Sequence, residues 1–430
     1  MDRNNWKPHS SLQSIQTRNS ASLPQHHLLN YSRHSVRSTP ECRKPSDSTQ
    51  GIRGVGTINP HTAHYGKQEH EVRFTRWLFP LIVIWSNASP VLAQPYRICT
   101  ARELRLTQQK LHGSFLDFTF NHGVDNRIYS PALEMKRDLY VYLPPGFDEK
   151  MRYPVMIFLH GVGQDEKNFL ETVLLFDKAI QCGKLPRMII VAPDGSISGR
   201  ASIRNGGSFY INSEAGRFED WIEVDVWNFV TSHFPIRPER EAHIIGGASM
   251  GGFGAYNHAI KFRHRYSIVF GVLPPMNLRY SDCHGEYFAN YDPNCVMFRN
   301  DITRKEPIAR FCGILVLRQR QFLDPLFGRR STSIDQLARE NPIEMLSAYG
   351  VQPGELSMYA AYGTKDEFNI DAQVEHFIDV AVKQGLTITA QKIINGGHDT
   401  DSGRLVFPDM VEWVRQSLES HGVTGPVPGE

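Results

Sequence analysis

The sequence predicts an α/β protein whose mostly parallel, doubly wound sheet is flanked by helices over about residues 110–420. Apolar runs of about five residues recur at 155–159, 188–192, 243–247, 268–272 and 358–362, and strands covered on both faces must be apolar throughout. Helical patterns alternate with these runs, at 219–230, 255–262, 371–384 and 409–418, as crossovers between parallel strands require. No internal repeat or clear linker interrupts the alternation. A chain of 430 residues with 40% hydrophobic and 21% charged residues can bury a large core, which excludes a disulfide scaffold or a fibrous protein.

Ahead of the first strand, residues 1–71 read as a disordered extension, rich in His and Ser and without sustained periodicity. Arg73 and Arg76 then precede the apolar run 77–85, which closes at Val91-Leu92-Ala93. A basic start, an apolar centre and a small-residue exit are the layout of a secretory signal peptide, so 72–93 is expected to direct export. Pro80, Ser86, Asn87 and Ser89 keep the run short of the roughly 20 apolar residues a membrane span needs, and a membrane anchor is the alternative. No Met lies between Met1 and Met135, so translation starting near Val72 would use a non-AUG codon and leave 1–71 untranslated.

Residues 1–93 hold 11 Lys and Arg against 5 Asp and Glu, and the remainder holds 36 against 40. That balance argues against a nucleic-acid partner. Of the six cysteines, Cys283 and Cys295 bracket one loop-like stretch and are candidates for a local disulfide or for two free thiols.

After a lead-in at 94–113, Phe115, Phe118 and Phe120 and the run 139–143 suggest two early strands, the second ending at Pro144-Pro145-Gly146. The run 243–247 leads into Gly247-Ala248-Ser249-Met250-Gly251, and a helical pattern opens behind it. Strand, tight turn and helix in this order form a nucleophile elbow: Gly247 and Gly251 leave out Cβ atoms that would clash, and Ser249 presents its hydroxyl above the sheet.

A serine needs a base to take its proton, and the base needs a carboxylate to orient it. His398 follows the last strand candidate, 388–394, and Asp366 follows the strand before it by the shortest loop, with Glu367 and Asp371 as competing acids. A tetrahedral intermediate also needs two amide donors. Met250 N–H, at a helix start, is one; Val162 N–H, in the loop Leu159-His160-Gly161-Val162-Gly163, is the expected other, with Gly161 as the alternative.

These residues resemble the esterase D-like branch of the α/β-hydrolases, which includes S-formylglutathione hydrolases, feruloyl and acetyl xylan esterases and mycolyltransferases. The resemblance runs through 140–147, Leu159-His160-Gly161, 192–195, 208–213, 219–225, 247–252, 363–366 and Gly397-His398-Asp399. It implies an α/β-hydrolase domain over 114–418 with a tail at 419–430, a triad of Ser249, Asp366 and His398, and an oxyanion hole at Val162 and Met250. A long polar segment at 276–340, ahead of the acid-bearing strand, departs from the pattern and is expected to act as a cap that chooses the substrate. Its Arg318–Arg330 charge run reads as a solvated helix face.

The expected function is a secreted serine esterase acting on a small-molecule or carbohydrate-linked ester through an acyl-enzyme. No cofactor, metal, nucleic acid or stable membrane span is expected. The alternatives are an acyltransferase of the mycolyltransferase type and an inactive esterase fold that binds carbohydrate or a surface.

Overall fold

The computed structural model of the protein describes residues 101–202, 206–311, 315–328 and 334–429. The expected extension at 1–71, the signal segment at 72–93 and the start of the lead-in lie outside the described residues.

Eight strands form the central sheet: β1 (Ser114–Phe118), β2 (Leu139–Leu143), β3 (Val155–Leu159), β4 (Ile189–Pro193), β5 (His243–Ala248), β6 (Ile268–Val272), β7 (Ser357–Gly363) and β8 (Ile388–Ile393). Their spatial order is β1-β2-β4-β3-β5-β6-β7-β8. β2 runs antiparallel to β1 and β4, and the pairings from β4 through β8 are parallel. This is the predicted α/β-hydrolase architecture, a mostly parallel sheet flanked by helices.

The continuous apolar runs are explained by burial on both faces. Alternate residues of β2 and β3 belong to opposite layers, Val141 and Ile157 to one and Tyr140, Tyr142 and Met156 to the other, all at most 1% exposed. Each such side chain contributes about 1.5–3 kcal/mol by leaving water.

Five helices matter for the site: α1 (Phe169–Gln181), α2 (Met250–Lys261), α3 (Gln319–Phe327), α4 (Ile370–Lys383) and α5 (Thr400–Ser420). Three differ from the sequence expectation. α1 was not expected; it turns Leu170, Val173, Phe176 and Ile180 onto the sheet. α2 starts at Met250 rather than Ala255, so its first turn holds Gly251 and Gly252, poor helix formers that close packing demands here. α5 starts nine residues before Asp409 and carries Pro408 inside it, held by Val406, Met410, Val411 and Val414 against the sheet. The pattern expected as one helix at 219–230 is helical from Phe218 to His233 but π-helical over Trp221–Val226.

The described residues of segment 276–340 form strands and helices. Tyr280–Asp282 pairs antiparallel with Val296–Phe298, and a Cys283–Cys295 disulfide spans the end of that hairpin. Pro307–Phe311 pairs with Leu315–Arg318, and α3 follows. In α3, Arg320 is exposed while Phe322, Leu323 and Leu326 are buried, so the expected basic face covers an apolar one. The expected tail is tied down where Val427–Pro428 pairs with Met151–Arg152. Among the described residues, no helix is long and apolar enough to cross a membrane.

Candidate active site

Ser249 sits between β5 and α2 with φ 53° and ψ −119°, a conformation that side-chain-bearing residues rarely adopt. Its N–H donates to Val272 O at 2.8 Å, which ties the turn to β6. A Cβ on Gly247 would lie 2.4 Å from Leu159 O, and one on Gly251 would lie 2.0 Å from it. Neither contact is sterically possible, so both positions require glycine.

The structure brings Ser249, Asp366 and His398 together. Ser249 Oγ–H donates to His398 Nε2 at 2.8 Å, and His398 Nδ1–H donates to Asp366 Oδ2 at 2.8 Å. The second oxygen of Asp366 accepts from Phe368 N–H at 2.9 Å, so the carboxylate is held from both sides. The imidazole is 3% exposed. Burial disfavours its charged form, but the charge of Asp366 and its hydrogen bond outweigh that, and His398 is raised above the ordinary imidazole value. A ring so placed can take a hydroxyl proton and be stabilised once charged.

The competing acids occupy other places. Glu367 Oε2 accepts from His398 N–H at 2.7 Å and so holds the backbone of the base rather than its ring. Asp371, at the start of α4, makes no hydrogen bond to His398, and burial pushes its carboxyl up to about 6. Asp399 caps α5, accepting from Ser402 N–H at 2.7 Å. The loops after β7 and β8 meet because Gly363 is bare: a Cβ there would lie 2.3 Å from Gly396 O.

The loop after β3 carries the candidate donors. Gly161 N–H donates to Gln164 Oε1 at 2.9 Å, which removes the alternative donor, because that proton is already used. Val162 N–H has no acceptor among the described residues, and Met250 N–H stands at the first turn of α2, where helix amides are free of intrahelical partners. His160 Nε2 accepts from Gly195 N–H at 2.8 Å, so its Nδ1 carries the hydrogen and donates to Gly161 O at 2.9 Å. Tyr210 O–H donates to His160 O at 3.1 Å. Behind them, fully buried Arg137 donates through Nη2 to Asp194 Oδ2 at 2.7 Å. Burial opposes charge on Asp194, yet the guanidinium holds its carboxyl below the usual range. Gln164, Arg137 and Asp194 are supports whose roles sequence reasoning did not assign, and Glu367, expected as a competing acid, is a support for the backbone of His398 instead.

Two cavities meet at Ser249, His398 and Val162. One is almost wholly apolar, with Phe209, Phe253, Phe322, Leu326 and Phe368 in its wall. The other is larger and mixes Phe407 with Asp165, Glu166, Thr400 and Arg404. Cys283, His284 and Cys295 lie close enough to gather a metal, but the two sulfurs are bonded to each other.

Comparison with known proteins adds an independent finding. A family described as "Putative esterase" matches residues 130–402. An S-formylglutathione hydrolase from Paracoccus denitrificans is 28% identical over 205 residues, 43% of this chain and 71% of that one. An esterase from Mycobacterium tuberculosis is 28% identical over 154 residues, 36% of this chain, which spans only 32% of that relative. Among solved structures, an S-formylglutathione hydrolase from Agrobacterium tumefaciens superposes with a TM-score of 0.51 at 16% identity, covering 72% of this chain and 96% of that one. A ferulic acid esterase superposes with a TM-score of 0.50 at 17% identity, covering 72% and 99%. At these identities the structural likeness concerns the fold.

Proposed function

The chain belongs to the esterase family, and from that premise we propose that it is a serine hydrolase that cleaves carboxylic esters through an acyl-enzyme on Ser249. The observation that carries the reading is the unbroken relay from Asp366 through His398 to Ser249, with both hydrogen bonds at 2.8 Å.

In this mechanism His398 Nε2 takes the Ser249 proton as Oγ bonds to the ester carbon. The carbonyl oxygen becomes an oxyanion that accepts from Val162 and Met250 N–H. The tetrahedral species collapses, the carbon–oxygen bond to the alcohol breaks, and the imidazolium returns its proton to the departing oxygen. Water then repeats the sequence, giving up a proton to His398, and the acid leaves as Oγ recovers a hydrogen. Asp366 keeps Nδ1 protonated and stabilises the charged ring throughout.

Export belongs to the same proposal. The Cys283–Cys295 disulfide supports it, since such bonds persist in oxidising compartments.

The test is labelling of the intact protein with a fluorophosphonate, together with turnover of p-nitrophenyl esters. Labelling at Ser249 and its loss in Ser249→Ala are the expected results. An intact protein that neither labels at Ser249 nor turns over any ester would instead favour the inactive, surface-binding alternative. Added alcohol or sugar in the same assay separates hydrolysis from acyl transfer by its products.

A further inference from the structure

Two amides can share one oxyanion only if they keep a fixed spacing, and here they lie on separate elements: Val162 N–H on the loop after β3, and Met250 N–H at the start of α2. The polar groups of the loop backbone can be followed one by one. In the peptide joining residues 160 and 161, His160 O accepts from Tyr210 O–H at 3.1 Å, and Gly161 N–H donates to Gln164 Oε1 at 2.9 Å. In the next peptide, Gly161 O accepts from His160 Nδ1–H at 2.9 Å. A trans peptide is planar, so its N–H points away from its C=O. Side chains therefore hold three of the four polar groups of these two peptides, and the fourth, Val162 N–H, is aimed by the held end of its own peptide.

Gln164 and His160 belong to the loop itself. Tyr210 comes from outside it and is also fastened to α2. His258, about two turns along that helix from Met250, donates from Nε2–H to Tyr210 O at 2.7 Å, and Glu223 Oε1 holds its other ring nitrogen at 2.6 Å. The Tyr210 ring lies against the same helix, since a Cβ on Gly254 would stand 2.7 Å from Tyr210 Cδ2. Tyr210 is fully buried, and it and Phe209 take φ values of 58° and 50°, which bulky residues rarely adopt. Such strain persists only where the surroundings enforce it, and it gathers at functional sites.

Resting on the proposed acyl-enzyme mechanism, we infer that Tyr210 is a positioning residue of the oxyanion hole, a strut that ties the loop bearing Val162 to the helix bearing Met250. Tyr210 lines neither of the cavities at Ser249, so it acts through the amides and not on the substrate. It sets where one donor stands relative to the other. Its contribution is therefore felt as charge develops on the carbonyl oxygen, and not when the ester binds.

The experiment compares two hydroxyl deletions. Tyr210→Phe removes the strut's hydroxyl and keeps its ring. Tyr256→Phe removes an equally buried hydroxyl on α2 that donates to Tyr359 O at 2.9 Å, a carbonyl of β7 rather than of the loop. Tyr210→Phe is expected to lower kcat on p-nitrophenyl acetate by about 10- to 100-fold with KM within about twofold, short of the about 10²- to 10³-fold that loss of a whole donor costs. Trifluoroacetone reads the hole directly: Ser249 Oγ bonds to its carbonyl carbon, the hydroxyl proton passes to His398, and the carbonyl oxygen becomes an oxyanion. Its inhibition constant should rise in Tyr210→Phe in proportion to the fall in kcat. Tyr256→Phe should lower the unfolding temperature comparably and leave kcat and the inhibition constant within about twofold of wild type. Equal kcat losses in the two variants would overturn the inference, and so would unchanged kcat or unchanged inhibition in Tyr210→Phe. Where Tyr210→Phe folds poorly, Gln164→Leu frees the other end of the same peptide and should show the same kcat loss and weaker inhibition; full activity there would overturn the inference as well. Fluorophosphonate labelling of Ser249 in wild type keeps the two levels apart: if labelling and turnover are present while these effects fail, only the strut falls, and if labelling fails, the mechanism beneath it falls.

Discussion

The sheet rim and the insertion reach the same cavity by opposite routes. The rim gathers Ser249, Asp366 and His398 from three strand ends far apart in sequence, where parallel register and close-packed loops place His398 within 2.8 Å of both Ser249 and Asp366. Among its described residues, segment 276–340 is assembled from local pieces, two antiparallel strand pairs and two short helices, and contributes walls rather than a proton relay. The difference is a division of labour within the proposed function: the rim supplies the reacting groups, and the insertion supplies the wall of the apolar cavity beside them.

That division can be broken at either side. The largest effect is expected from Ser249→Ala, which should lower kcat/KM by about 10⁴-fold or more for every ester alike, measured on the p-nitrophenyl series. Asp366→Asn should cost about 10³- to 10⁴-fold, again uniformly, because the amide favours the wrong imidazole tautomer. A rim substitution that altered the ratio between short and bulky esters would contradict the comparison.

In the insertion, replacing Cys283 and Cys295 by serine removes a bridge across a separation of 12 residues. The chain-entropy model assigns such a loop about 3 kcal/mol, to be read as a lower unfolding temperature. Retention of the wild-type melting temperature would show that the hairpin stands without its bridge.

The smallest effect concerns pH. His398 must be neutral to act as a base, and it is raised above the ordinary imidazole value because Asp366 outweighs burial. Activity should therefore fall on acidification from a pH above about 6.5, the unperturbed value. Glu367 adds a smaller upward push, so Glu367→Gln should move this acid limb to lower pH while keeping an acceptor for His398 N–H. A kcat/KM profile for the two proteins reads the shift, and an upward or absent shift would refute the electrostatic account.

Much of the rim was legible beforehand because its signals are local. Five apolar residues buried on both faces announce a strand wherever they occur, and Gly247 and Gly251 around Ser249 mark a turn that tolerates no Cβ. Helix ends were less legible. Gly251, Gly252 and Gly254 argue against a helix at 250, and Pro408 argues against one before 409, yet packing against the sheet overrides both propensities. The choice among Asp366, Glu367 and Asp371 depended on which carboxylate faces the ring, and three acids within six residues carry no local mark of that.

The sequence by itself determined the alternation of strand and helix and the glycine-flanked turn around Ser249, since each follows from residue type and spacing along one short segment. Only the tertiary structure decided that Gly161 N–H is already engaged by Gln164 and that Glu367 holds the backbone of His398. Those are statements about which atoms meet across the fold. Hydrogen bonds and desolvation act over a few ångströms of space, a distance that separation along the chain does not encode.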